Sequence, residues 1–108
     1  MAEKAVKWLS DTALEEVLAL PGAVLVVFTA AWCVPCQTLM SRLERVLERP
    51  GMQCRGYLVD TDRYPEAALK YNVRGMPTLL LFVDGDLEAS RVGAIDEVQL
   101  ETFLLAAP

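Results

Sequence analysis

Histidine is absent from this chain of 108 residues, and its absence excludes several kinds of active site. Serine–histidine and cysteine–histidine catalysis both need an imidazole base, and histidine is a common ligand of zinc. Basic residues are also few, since ten Lys and Arg stand against fifteen Asp and Glu, for a net charge of -5. So acidic a chain lacks the positive patch with which proteins bind nucleic acids or anionic membranes.

Long apolar runs are also missing. The longest largely apolar stretch, Ala23–Cys36, is shorter than the roughly 20 residues that a membrane-spanning helix needs. The N-terminus has no apolar core of the signal-peptide type, and three cysteines do not form the even set of a small secreted scaffold. We therefore expect a cytoplasmic protein that binds neither membranes nor nucleic acids.

Hydrophobic residues make up 54% of the chain and charged residues 23%, which is enough apolar material for a folded core. The length is that of one domain, and no repeat, linker or low-complexity tract divides the sequence. We expect a single domain over residues 1–108 and a monomer.

The apolar pattern alternates between the periods of strands and helices. It predicts strands at 5–9, 23–29, 53–59, 78–83 and 87–92. It also predicts helices after residue 10, from Cys33 to before Pro50, at 66–71 behind Pro65, and after residue 96, where the apolar side of the helix ends at Ala107. Such alternation requires parallel strands with helices on both faces, and Asp84-Gly85 indicates a final hairpin. The predicted fold is a three-layer α/β/α sandwich.

Two helix starts carry capping signals. Ser10, Asp11 and Thr12 offer N-caps for the first helix, and Glu15 is placed to complete a capping box with Thr12. Asp96 and Gln99 predict a similar cap for the last helix.

The motif Trp32-Cys33-Val34-Pro35-Cys36 stands where a buried strand is predicted to end and a helix to begin. A thiol attacks only as the thiolate, and the unpaired N–H groups and dipole of a helix N-terminus stabilise that anion. The first helical turn brings the second sulfur within bonding reach of the first, and Pro35 suits a turn whose N–H groups lack helical partners. We expect Cys33 to be an exposed nucleophile and Cys36 the shielded resolving thiol.

The cysteines also have a metal-binding interpretation, which the composition disfavours. A zinc site wants four ligands, and Cys54 is the only cysteine left to join the pair. Cys54 is expected to be a small buried hydrophobic residue, with a regulatory thiol as the alternative. Trp8 is expected in the core, and the charged face of the helix at 42–49 is expected to be a solvated surface.

The chain resembles thioredoxins over nearly its whole length. The likeness rests on four segments in matching order and separation: Trp32-Cys33 with Pro35-Cys36, Arg74-Gly75-Met76-Pro77-Thr78, Asp84-Gly85 and Val92-Gly93-Ala94. It implies the thioredoxin fold, with a mixed sheet of about five strands and four helices. It also implies a redox-active protein-disulfide reductase without cofactor or metal, which acts on disulfide-containing client proteins and is re-reduced by a thioredoxin reductase or an equivalent donor.

The resemblance assigns further residues to the site. It implies a cis Met76–Pro77 bond that faces the cysteines, with Val34, Pro35 and Pro77 supporting them. The client chain is expected to pair with backbone at Gly75 and Met76, as in strand addition. The full set implied to bind client is Trp32, Gly75, Met76, Pro77, Gly93 and Ala94.

Three departures from the thioredoxin pattern matter. Val27 and Leu58 replace a buried acid and a buried lysine, and losing both leaves no charge stranded. Because that acid is thought to help deprotonate the resolving cysteine, we expect a steeper pH dependence at Cys36. Val34 replaces a glycine in the spacer, which tunes the reduction potential, and Ser41 replaces a kinking proline. These departures leave open a specialised oxidase, isomerase or client-specific reductase, and beyond them a non-catalytic protein-binding module.

Overall fold

The computed structural model describes residues 6–105 and, within them, every side chain except those of residues 11 and 12. The strands are β1 Val6–Leu9, β2 Ala23–Thr29, β3 Cys54–Asp60, β4 Thr78–Val83 and β5 Asp86–Val92. The helices are α1 Asp11–Leu18, α2 Val34–Leu47, α3 Pro65–Lys70 and α4 Glu97–Leu105. This order confirms the predicted alternation. Ala5 and Ala107, with which the predicted first strand begins and the apolar side of the last helix ends, lie outside the described residues.

The strands form one mixed sheet in the order β1-β3-β2-β4-β5. β1, β3 and β2 run parallel, whereas β4 is antiparallel to β2 and β5 is antiparallel to β4. The turn between β4 and β5 places Asp84 and Gly85 at φ 50° and 90°. Both residues therefore lie in the left-handed region that a tight hairpin requires, as the Asp-Gly pair predicted.

β2 lies at the centre of the sheet and is buried on both faces, which explains its continuous apolar sequence. Leu25 and Val27 point into a core shared with α2 and α4, where they join Leu39 and Leu100. Val24, Val26 and Phe28 point into the opposite core, which α1 and α3 cover. The three-layer α/β/α fold is confirmed.

Side chains cap the N-termini of both the first and the last helix, but only the capping box predicted for the last helix is confirmed. The N-cap of α1 is Ser10, whose Oγ accepts a hydrogen bond from the N–H of Ala13 at 3.3 Å. Thr12 lies inside the helix, too late to cap it, so the predicted Thr12–Glu15 box is wrong, and the Glu15 carboxylate pairs with the Lys70 ammonium instead. The second capping box is confirmed: Asp96 Oδ1 accepts from the Gln99 N–H at 2.8 Å, and Gln99 Oε1 accepts from the Asp96 N–H at 3.0 Å.

The charged face of α2 is not simply solvated, which corrects the sequence interpretation. Arg45 and Arg49 pair with the carboxylate of Glu97 at 3.1 and 3.3 Å, and Arg49 also pairs with Glu101. Arg42 is half-buried and bonds to backbone carbonyls. Residues 42, 45 and 49 share one side of the helix because three and four residues make about one turn. These three residues, here called the arginine stripe, join α2 to α4 and to the turn before it.

Replacing Asp96 with Ala should lower the free energy of unfolding by about 1 kcal/mol, because it removes one hydrogen bond of the α4 cap and leaves its partner unpaired. Urea titration followed by circular dichroism measures the change. Asp86→Ala removes an exposed carboxylate from β5 and should stay within about 0.5 kcal/mol of the parent. Equal losses in the two variants would contradict the capping role.

Candidate active site

The two cysteines of the motif form a disulfide at the junction of β2 and α2. Cys33 is the N-cap of α2, with φ -88° and ψ 104°, and its Sγ accepts a hydrogen bond from the Cys36 N–H at 3.2 Å. The Cα atoms of the two cysteines are 5.3 Å apart. Pro35 occupies the first turn, where a missing N–H removes no helical hydrogen bond. The sequence-predicted arrangement of the pair is therefore present.

The exposure of the two cysteines differs from expectation. Cys33 is 3% exposed and Cys36 is 1% exposed, so the predicted exposed nucleophile is wrong for this disulfide-bonded state. Both cysteines form a buried cluster with Ala30, and Met76 packs against that cluster. Trp32 and Val34, in contrast, are each 68% exposed. The disulfide is therefore buried while the two apolar side chains next to Cys33 in the sequence are exposed.

The electrostatic setting of Cys33 favours an anion at its sulfur. The Cys36 N–H already points at Sγ, and no acidic residue lies in the first turn of α2 to oppose a negative charge. The 14 residues of α2 supply the positive end of a helix dipole at the same place. The same contacts that hold the disulfide would therefore stabilise a thiolate after reduction.

Val27 and Leu58 lie opposite each other on adjacent strands, in register across β2 and β3. Both are buried in the core that α2 covers, together with Leu39 and Leu79. The positions at which thioredoxins usually hold an acid and a lysine are thus filled by apolar side chains. They offer no group that accepts or donates a proton. Ser41 lies inside α2, which continues without interruption to Leu47.

The segment before β4 lies against the cysteines. The Met76–Pro77 peptide bond is cis, as the resemblance implied, and the Met76 side chain contacts the cysteine pair. Pro77 O accepts a hydrogen bond from the Gly93 N–H at 2.9 Å. A Cβ on Gly75 would come within 3.0 Å of Val92 Cγ1, so the close approach of these segments favours glycine there. The structure therefore brings Gly75, Met76 and Pro77, which precede β4, close to Gly93, which follows β5.

Ala94 follows Gly93 in the turn after β5. Its carbonyl is bound by Arg42, a residue for which the sequence predicted no such role. Arg42 Nη1 donates to Ala94 O and to Ile95 O, both at 2.8 Å. The helical spacing of Arg42, Arg45 and Arg49 was the available signal. It showed that the three share one side of α2, but not that another element covers that side.

A cavity of about 640 Å³ is lined in part by Ala30, which also packs with the cysteines, but not by the cysteines themselves. Trp8, Ala31, Met40 and Tyr64 supply much of its lining. Trp8 is 56% exposed, so its predicted place in the core is wrong. The reason is that β1 is an edge strand whose neighbouring elements leave the Trp8 side open to solvent.

Cys54 packs against the core beneath α2 and α4 but is half-buried, not fully buried as expected. Burial raises the pKa of its thiol to about 11, although a backbone hydrogen bond at Leu25 acts the other way. A thiol with so high a pKa is almost entirely protonated and unreactive at neutral pH. In residues 6–105 no group of three or more His, Cys, Asp or Glu could hold a metal ion, and no helix is long and apolar enough to cross a membrane.

The raised pKa of Cys54 predicts a loss of stability at alkaline pH. Above about pH 9 the unfolded chain releases the thiol proton while the folded chain keeps it, so the free energy of unfolding falls as pH rises. With the Cys33–Cys36 disulfide intact, Cys54→Val should remove roughly 2 kcal/mol of the decrease between pH 8 and pH 10.5. Tyr71, whose pKa burial also raises, contributes equally in both proteins. Urea denaturation at pH 8 and pH 10.5 measures this decrease. An equal decrease in the free energy of unfolding of the parent and of Cys54→Val would contradict this assignment.

Comparisons with known proteins agree with the site. The family model described as Thioredoxin matches residues 5–106. Thioredoxin of Acidithiobacillus ferridurans is 40% identical over 101 residues, which is 93% of this chain and 94% of that protein. Thioredoxin of Pseudomonas aeruginosa is 39% identical over 90 residues, 83% of each chain. A solved mutant thioredoxin from Halobacterium salinarum superposes with a TM-score of 0.85 at 32% identity, covering 98% of this chain and 94% of that one. The chain therefore belongs to the thioredoxin family and is a protein-disulfide reductase.

Proposed function

We propose that Cys33 is the nucleophile and Cys36 the resolving thiol of this reductase. The observation that carries the assignment is the Cys36 N–H that donates to Cys33 Sγ at the N-terminus of α2. Cys33 thus holds the position at which a thiolate is stabilised, whereas Cys36 lies inside the helix. This difference supports a fixed order of attack.

The exchange proceeds in two steps. The Cys33 thiolate attacks one sulfur of a client disulfide, the client S–S bond breaks, and the other client sulfur leaves as a thiolate that takes up a proton. Cys36 then loses its proton, and its thiolate attacks the Cys33 sulfur of the mixed disulfide. That bond breaks, the second client thiolate leaves and is protonated, and the Cys33–Cys36 disulfide seen here is the product. Two electrons pass from the protein to the client, and of the two protons that the client thiols take up, one replaces the proton that Cys36 loses and the other comes from solvent, because Cys33 starts as a thiolate.

The proton of Cys36 leaves without help from a buried acid. Val27 and Leu58 fill the relevant positions with apolar side chains, and both are buried. The proton therefore goes to water or directly to the departing client thiolate. Resolution of the mixed disulfide is accordingly the step whose rate depends most on pH.

The client is held, in this proposal, along the edge formed by the segments before β4 and after β5. Gly75, Met76 and Pro77 offer backbone close to the cysteines, since Met76 contacts them and Pro77 bonds to Gly93. Trp32, next to Cys33 in the sequence, is exposed. Gly93 and Ala94 are half-buried, and we assign their exposed parts to the same client-binding surface. An extended client segment that adds to this edge places its own disulfide over Cys33.

A second electron donor completes the cycle, because each turnover leaves the pair oxidised. We assign this role to a thioredoxin reductase or an equivalent donor. We place this cycle in the cytoplasm, whose reducing conditions keep thiols reduced. A monomer with a single domain over residues 1–108 is sufficient for it. The contacts described here do not favour an oxidase, an isomerase or a non-catalytic binding module.

Cys36→Ser should trap clients covalently, because the mixed disulfide on Cys33 then has no resolving thiol. With insulin as client, most of the variant should run as a conjugate on non-reducing gels, and mass spectrometry should locate the bond at Cys33. Cys33→Ser should form no conjugate, and Cys54→Ser should turn over like the parent. A Cys36→Ser protein that keeps its partner without any covalent bond would instead indicate a binding module.

The rate of mixed-disulfide resolution should rise close to tenfold per pH unit between about pH 6 and pH 8, since only the thiolate of Cys36 attacks and no buried base assists it. Rapid mixing with acid quench measures this step separately from the first. The double variant Val27→Asp/Leu58→Lys restores the charged pair without stranding either charge, and it should flatten the profile. A parent profile that is already flat would contradict loss of the Cys36 proton to water before the attack.

A further inference from the structure

Arg42 makes contacts of a different kind from those of the other two residues of the arginine stripe. Arg45 and Arg49 pair with carboxylates on α4, and their side chains are 58% and 40% exposed. Arg42 is half-buried, and its Nη1 donates to two backbone carbonyls, Ala94 O and Ile95 O, at 2.8 Å each. Charged donors make shorter and stronger hydrogen bonds than neutral ones, so this side chain fixes backbone rather than balancing surface charge.

The turn that Arg42 holds is fixed from its other side by the cis-proline segment. Pro77 O accepts from the Gly93 N–H at 2.9 Å, and Gly93 O accepts from the Ile95 N–H at 3.0 Å. Gly93 has φ 113°, a conformation that favours glycine and that the surrounding hydrogen bonds maintain. The turn at 93–95 is thus bound to the start of β4 on one side and to α2 on the other.

We propose that Arg42 is a positioning residue for client reduction, which holds the turn at 93–95 in register with the helix that carries Cys33 and Cys36. This inference rests on the proposed function, because it takes Gly93 and Ala94 as part of the client surface. A client whose disulfide reaches Cys33 meets the turn at the same time. Without Arg42 the backbone of the turn loses its two hydrogen bonds to α2, although Ile95 still packs in the core, and ordering the turn becomes a cost of binding.

The consequence is confined to clients large enough to touch the turn. Arg42 makes no described hydrogen bond to either cysteine, so the reactivity of the sulfurs should not depend on it. A small disulfide reaches Cys33 without contacting residues 93–95. Its reaction therefore reports the chemistry at the sulfurs alone, whereas a protein client reports the chemistry together with the positioning of the turn.

The test uses Arg42→Met, which keeps an apolar stem and removes the donors, and Arg42→Lys, which keeps a charged donor. Arg45→Met is the matched control, since it removes an arginine from the same side of α2. With insulin as client, Arg42→Met should raise KM about five- to tenfold with kcat within about twofold of the parent. Arg42→Lys should recover part of this loss, and Arg45→Met should match the parent. Reduction of bis(2-hydroxyethyl) disulfide should be unchanged in all three.

Amide hydrogen exchange supplies a second readout. In Arg42→Met the Gly93 N–H should exchange at least about tenfold faster, while amides of β2 keep their protection. An unchanged KM for insulin, an equal change in Arg45→Met, or faster exchange across the whole sheet would each overturn the proposal. If Arg42→Met does not fold, Arg42→Gln and Arg42→Lys give the same comparison. Failure of the parent itself to reduce insulin would count against the proposed function, and a parent that works beside an indistinguishable Arg42→Met would count against Arg42 alone.

Discussion

The hydrogen bond from the Cys36 N–H to Cys33 Sγ, at 3.2 Å, is the interaction on which the chemistry of this fold depends. It exists because β2 ends in the centre of the sheet and the chain turns directly into α2, so that Cys33 becomes the N-cap. β2 is buried between two cores, and the 14 residues of α2 direct the positive end of the helix dipole toward the sulfur. The remaining elements of the site are arranged around this point, with Met76 packed against the pair and Trp32 exposed beside it.

The apolar residues at 27 and 58 affect two separate properties, the stability of the fold and the transfer of the Cys36 proton. A buried acid and a buried lysine would stabilise each other only at a cost in desolvation, and a single one left alone would be strongly destabilising. Two apolar side chains in register across β2 and β3 avoid that cost and extend the core beneath α2. In the proposed mechanism, the absence of the acid changes the route of one proton in the second step and leaves the helix N-terminus that would stabilise the Cys33 thiolate as it is.

The order of elements and the cysteine geometry were predictable because both follow from local sequence. A continuous apolar run, an Asp-Gly turn and a cysteine pair before an amphipathic helix each determine nearby backbone. The predictions that were wrong or incomplete concern features that depend on tertiary contacts. Trp8 is exposed because β1 is an edge strand, and Cys33 lies in a buried cluster against which Met76, 43 residues further along the chain, packs. The contacts of Arg42 were missed because sequence spacing places it on one side of a helix without showing the turn that covers that side.

The central claim is that the Cys33–Cys36 pair acts as a reductant of protein disulfides, and its reduction potential tests that claim most directly. The protein would be equilibrated in graded dithiol buffers, with Trp8 replaced by Phe so that Trp32 alone reports the state of the pair by fluorescence. We predict a single two-electron transition at about -270 mV, the value typical of thioredoxin. A potential between roughly -180 and -120 mV, the range of disulfide isomerases and strong oxidants, or no reversible transition at all, would contradict it.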